Sequence, residues 1–112
     1  MSFQVILNIL ANAEDAIVAR KIEQGKIDIT LKSNKENIII KIEDNAGGIE
    51  KSKIDKIFDI YFTTKNRKEG SGLGLYMSKL IIESKLGGEI KAKNKKVGAQ
   101  FKIVLPFEKH KN

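Results

Sequence analysis

The chain's 112 residues make one small domain, and at 41% hydrophobic it can bury a modest core. It has no run of about eighteen apolar residues that would read as a membrane helix. No secretory signal pattern opens it, and without cysteine it has neither a disulfide framework nor a thiolate zinc site. The net charge of +7 comes from scattered lysines with no interleaved aromatic residues, which suits a solvated surface, an anionic small ligand or an acidic partner rather than nucleic acid.

Phe3 to about Ala19 reads as a helix, because Phe3, Ile6, Leu10, Ala13 and Ile17 recur at helical spacing and form a predicted core face. At about 100° per residue, Asn8, Asn12 and Asp15 fall within about 60° of one another, and Gln4 extends the strip. Val5, Leu7, Ile9, Ala11, Ala16 and Val18 cover most of the flanks, so the helix is predicted to be buried nearly all round. A strip of amides and a carboxylate on such a helix faces a cleft, a ligand or a metal, or else lies on a solvated edge. Two asparagines one turn apart are costly to a helix, and amide oxygens suit Mg²⁺. Both points favour a ligand.

Gly25 breaks this pattern. "KIDITLKS" and "NIIIKIED" alternate apolar and polar residues and are predicted to form a hairpin around "SNKEN". Asp44 then stands where the second strand gives way to "NAGGIE". This is either ordinary turn chemistry or a carboxylate that accepts a hydrogen bond from a ligand amine. In the second case Gly47 and Gly48 would let a flat ligand approach the backbone. "KSKIDKIF" is a short helix candidate. Gly70, Gly72 and Gly74 run into a predicted helix that reaches about Leu86 and stops at Gly87 and Gly88. Alone, the glycine run is either a phosphate loop or a flexible joint. Tyr76, Met77, Leu80 and Ile81 read as core. "EIKAKN" and "AQFKIVLP" supply two more strands, and a basic tail, residues 107–112, follows Pro106. Four strands in antiparallel hairpins and about three helices predict an α+β fold with helices layered on one sheet face.

Taken together the segments resemble one family. "NILANAEDA" resembles its N-box, "DNAGGI" its first glycine box, "IFDIYFTTK" its F-box and "GSGLGL" its second glycine box. These are the ATP-binding motifs of sensor histidine kinases, within the superfamily that includes DNA gyrase and the mismatch-repair protein MutL. The four boxes occur in the family's order between about Gln4 and Pro106. The resemblance implies a Bergerat-type fold, a mixed and mostly antiparallel sheet under a helix layer. ATP would lie between that layer and a lid between Phe62 and Gly70.

The resemblance also implies roles for particular residues. Asn12 matches the asparagine that binds Mg²⁺, and Asn8 and Asp15 share its strip. Asp44 matches the aspartate that holds the adenine amine, beside Gly48. Ile49 and Phe58 wall the adenine or fill the core. Thr64 and Lys65 fall in the F-box, and Lys65 either reaches a phosphate or is one more solvated lysine. Gly70, Ser71, Gly72, Leu73, Gly74 and Leu75 form the phosphate cradle, where amides at a helix start favour anions. In hydrolytic relatives a glutamate stands four residues before the metal asparagine. Here that place is Asn8, and an amide cannot act as a general base. This favours phosphoryl transfer to a histidine, with "YFTTK" similar to nitrogen-regulation-type kinases.

Three departures qualify the resemblance. Ala46 replaces a glycine of the first box, and Ala99 stands where related ATPases often place a threonine near the adenine. The N-box starts almost at the first residue, so a preceding strand-containing segment is missing and the domain, residues 1–106, is expected to be a piece of a larger kinase. The lone histidine, His110, lies in the tail without the acidic neighbour of an acceptor histidine. The implied partners are therefore a separate phosphoacceptor histidine domain and a downstream response regulator. The implied location is cytoplasmic, in a parent that is soluble or membrane-anchored, with no membrane contact by this domain. An exposed sheet edge would invite a second copy. The alternative is a nucleotide-binding or interaction fragment without turnover of its own.

Overall fold

The computed structural model describes residues 3–60 and 74–107. In chain order these form α1 (Phe3–Ala19), β1 (Ile27–Ser33), β2 (Asn37–Asp44), α2 (Gly74–Leu80), β3 (Glu89–Asn94) and β4 (Ala99–Pro106). A π-helical turn, Ile81–Lys85, continues α2. The strands make one sheet in the order β1-β2-β4-β3, and all three neighbouring pairs are antiparallel.

The core follows from the alternation in β2 and β4. Ile40 and Ile42 on β2 face the same way as Phe101, Ile103 and Leu105 on β4, and all five are buried. Val5 and Ile9 of α1, Ile57, Ile82 and Ile90 complete the cluster over that face. Completely burying an isoleucine contributes about 1.5–3 kcal/mol, so the four fully enclosed ones (Ile9, Ile42, Ile82 and Ile103) anchor the helix layer to the sheet.

The helix layer departs from the periodicity reading in three ways. The stripe of α1 that meets the sheet is Val5, Ile9 and Ala13, while Ile6 and Leu10 are only partly buried and Leu7 and Val18 are exposed. The helix therefore lies on the sheet rather than inside the molecule, and its polar strip borders the buried stripe. Residues 51–60 form successive turns, not a helix. The amides of Lys53, Lys56 and Asp59 reach back three residues and only that of Ile54 reaches four, so the α-helical ladder never propagates. Finally, the Leu86 amide bonds the Ile81 carbonyl, which widens the last turn after α2. Leu75, Ile81 and Ile82 face the core, and Met77 and Leu80, expected inside, are exposed.

Candidate functional site

Asp44 ends β2. Its Oδ1 accepts hydrogen bonds from the amides of Ala46 (3.0 Å) and Ala99 (3.2 Å). The two bonds fix the carboxylate, and Oδ2 has no protein donor among the described residues. The close fit depends on Gly98, which is buried against this group. A Cβ there would collide with the Asp44 carbonyl oxygen and lie 2.6 Å from Oδ1. The arrangement goes beyond turn chemistry, since a turn needs the Ala46 bond but not a second donor from across the sheet.

The glycine turn that follows is pinned on three sides. Asn45 Oδ1 accepts from the Lys26 amide and its Nδ2 donates to the Gln24 carbonyl, both at 2.9 Å, which ties the turn to the segment after α1. The Gly47 amide bonds the Val97 carbonyl at 2.9 Å in the β3–β4 connection. Asn94, at the end of β3, grips both backbone polar groups of Ile49. Gly47 and Gly48 have φ of +94° and +87°, the left-handed region that favours glycine. A Cβ at Gly47 would collide with the Arg20 guanidinium, and one at Gly48 would lie 2.8 Å from Asn94 Oδ1. Ala46, the departure from the family's first box, is buried, and its backbone amide still serves Asp44.

At the other end of α1, Asn8 Nδ2 donates to the Gly74 carbonyl (3.3 Å) and to Ser78 Oγ (3.2 Å), while Ser78 Oγ–H donates to the same carbonyl (2.9 Å). Ser78 is wholly buried. Asn8 therefore joins the N-box helix to the first turn of α2. From Asn8 to Arg20 the chain advances roughly 18 Å at helical rise. Helix α1 thus spans from the start of α2 to the glycine turn, which Arg20 meets, with Asn12 and Asp15 between. Asn12 is half-buried and takes part in no hydrogen bond among the described residues.

Other expected site residues are distributed as follows. Ile49 and Phe58 both pack against the core. Phe58 meets Phe101 edge-on at 6.1 Å and carries Lys79 Nζ 5.5 Å above its ring. Phe58 also lines a shallow cleft of about 160 Å³ with Tyr76 and Leu80, which shares no residue with the glycine turn. Gly74 and Leu75 open α2. Thr64, Lys65, Gly70, Ser71, Gly72, Leu73, the lid segment and His110 lie outside the described residues. Sequence reasoning missed Asn45, Asn94, Ser78 and Gly98. The first three are short polar side chains at turns or on an apolar helix, where backbone bonding is their common use. Gly98 beside Ala99 carried no signal of its own.

Among the described residues no group of three or more histidine, cysteine or acidic side chains would hold a metal on its own. A single amide such as that of Asn12 suits Mg²⁺, which keeps several waters and relies on ligand phosphates for its other contacts. No helix of the described residues is long and apolar enough to cross a membrane.

Over residues 2–109 the sequence matches the family described as histidine kinase-, DNA gyrase B-, and HSP90-like ATPase. It is 44% identical over 110 residues to the signal transduction histidine-protein kinase AtoS of Escherichia coli, covering 97% of this chain and 17% of that protein. It is 36% identical to the two-component sensor PprA of Pseudomonas aeruginosa, covering 93% of this chain and 12% of that protein. The chain thus spans less than a fifth of the length of either relative. The structure is similar to the nucleotide-free catalytic domain of histidine kinase ThkA, with a TM-score of 0.77 and 33% identity over 92% of this chain and 65% of that one.

Proposed function

We propose, for a chain that belongs to the histidine kinase-, DNA gyrase B-, and HSP90-like ATPase family, that it is the ATP-binding catalytic domain of a two-component sensor histidine kinase. Its task is to hold ATP for transfer of the γ-phosphoryl group to a histidine on a separate phosphoacceptor domain. The response regulator then takes the phosphoryl group downstream. We place the domain in the cytoplasm, whether or not the parent protein is anchored.

The observation that carries this reading is Asp44. Two backbone amides hold one carboxylate oxygen, and the other is left for a donor that the described protein does not supply. An adenine amine is such a donor, and the rigid Gly47–Gly48 turn beside it admits a flat ring close to the backbone. Helix α1 leads from this turn toward Gly74, where Asn8 fixes the helix start that follows the second glycine box. Asn12 is the residue on that strip suited to Mg²⁺. What ATP supplies when bound is the phosphoryl group, and the chain's own residues bind and orient it. Asn8 cannot take a proton from water, and its amide hydrogens are already given to Gly74 and Ser78. The site therefore favours transfer to a presented histidine over hydrolysis.

Calorimetric titration with ATP, with and without Mg²⁺, tests the nucleotide site. Radiolabelled γ-phosphate transfer to a phosphoacceptor domain added in trans tests the kinase reading. Saturable, Mg²⁺-strengthened ATP binding together with acid-labile label on the added domain is the expected result. Binding without transfer would favour a nucleotide-binding module that does not turn over, and absence of binding would remove the reading altogether.

A further inference from the structure

Arg20 closes α1, and its backbone is held in place. The Arg20 amide bonds the Ala16 carbonyl at 3.0 Å, and those of Lys21 and Ile22 bond the carbonyls of Val18 and Ile17, both at 3.1 Å. This paired closure ends many helices and usually has glycine where Lys21 stands. Lys21 takes φ of +57° there, a conformation that disfavours any residue with a Cβ. The chain then leads to Gln24 and Lys26, which Asn45 ties to the glycine turn.

Held in this way, the Arg20 side chain comes to rest on that turn. A Cβ at Gly47 would collide with its Nη1 and lie 3.6 Å from its Cζ and 3.8 Å from its Cδ. The guanidinium thus meets the turn by an edge, at the spot where a side chain at position 47 would begin. Glycine at that position has a second reason beyond its φ of +94°. Arg20 is exposed, and its guanidinium makes no hydrogen bond or ion pair among the described residues.

We propose that Arg20 binds the nucleoside, with a flat face of its guanidinium stacked on the purine whose amine Asp44 holds. The inference rests on the nucleotide site proposed above. Position decides the chemistry. From Asn8, which holds the start of α2, to Arg20 is roughly 18 Å at helical rise. That exceeds the reach of one side chain, so this cation serves the base end of the ligand and not its phosphates. A guanidinium suits the task, being planar, delocalised and weakly hydrated, and it stacks readily on an aromatic face. An ammonium would bring the charge without the plane.

The test is NMR titration of the whole chain with adenosine, ADP and ATP, comparing the wild type with Arg20→Ala and Arg20→Lys. In the wild type the Arg20 Nε–H resonance should move upfield as adenosine binds, because a proton above an aromatic face is shielded. Arg20→Ala should bind all three ligands roughly three- to thirtyfold more weakly. The factor should be the same for adenosine as for ATP, and Arg20→Lys should recover little of it. Amide exchange at Gly47 and Gly48 without ligand should be unchanged, since Asn45, Asn94 and the Val97 carbonyl hold the turn. A loss that grows from adenosine to ATP would assign Arg20 to the phosphates and overturn the stacking. So would unchanged affinity, full recovery by lysine, or faster exchange at the turn, which would make the role structural. A wild type that binds none of the three ligands removes the nucleotide site itself and this role with it, whereas the other failures leave that site standing.

Discussion

Asn94 grips Ile49 with both ends of its side-chain amide. Oδ1 accepts from the Ile49 amide and Nδ2 donates to the Ile49 carbonyl, each at 2.7 Å, across 45 positions of sequence. One exposed residue at the end of β3 thus sets the conformation of the glycine turn that follows Asp44. Replacing Asn94 with Ala should cost about 1 kcal/mol of stability, since exposed bonds of this kind contribute modestly. It should cost more in ATP affinity than the change in melting temperature suggests, because the turn loses its outer anchor. Parallel thermal melts and ATP titrations check this, and equal affinity in the two proteins would show that the turn keeps its shape unaided.

Asp44→Asn keeps an oxygen to accept from Ala46 and Ala99, so the fold should survive. It replaces the second carboxylate oxygen with an amide nitrogen that cannot accept from a ligand amine. Losing a charge-assisted bond should weaken ATP binding by about 1.5–3 kcal/mol, or roughly ten- to a hundredfold. The wild type should also prefer ATP to GTP, because guanine offers an oxygen where adenine offers N–H. Equal affinity for the two nucleotides would remove Asp44 from the base-binding role.

Gly98→Ala should destabilise the domain although the change is one methyl group. The new Cβ would meet the Asp44 backbone carbonyl and the carboxylate together, and the carbonyl belongs to the backbone of β2. Strain of this kind typically costs about 1–3 kcal/mol, seen as a fall of several degrees in melting temperature. Nucleotide binding should fall with it, because the Ala99 amide that holds Asp44 would be displaced.

Lys41, Lys102 and Lys91 stand directly opposite one another on β2, β4 and β3, on the face of the sheet away from the helices. Like charges across a ladder are destabilising. Lys102→Glu turns both repulsions into attractions and should raise stability by about 0.5–1.5 kcal/mol, an effect that shrinks in high salt. Urea denaturation at two ionic strengths checks this. A destabilised or salt-insensitive variant would mean that the lysines already splay apart.

Asn8→Ala should loosen the start of α2 rather than abolish a chemical step. It removes both bonds that tie α1 to Gly74 and Ser78 and leaves the Ser78 hydroxyl bonded only within its own helix. A loss of about 1 kcal/mol in stability and faster hydrogen exchange at Leu75–Ser78 are expected. Unchanged exchange there would show that α2 is positioned by its apolar contacts alone.

How much of this was legible beforehand depended on the range of each signal. The strands of "NIIIKIED", "EIKAKN" and "AQFKIVLP" were predicted with the boundaries observed, because period-two alternation ended by Asp, Asn and Pro is a local pattern. The same local patterns placed Asp44 at a strand end and Asn8 on a helix, where the structure finds them. Helical phase was harder. The α1 reading put Phe3, Ile6, Leu10, Ala13 and Ile17 on the core face, and the stripe that met the sheet was instead Val5–Ile9–Ala13.

Local chemistry alone determined that this chain makes alternating strands, glycine turns and a first helix over Phe3–Ala19, since propensity and periodicity act between near neighbours. Only the tertiary structure decided that Ala99 and Gly98 shape the Asp44 carboxylate from 55 and 54 positions away. The same holds for Asn94 over the glycine turn. Which residues a helix layer covers depends on how elements distant in sequence pack, which no local pattern encodes.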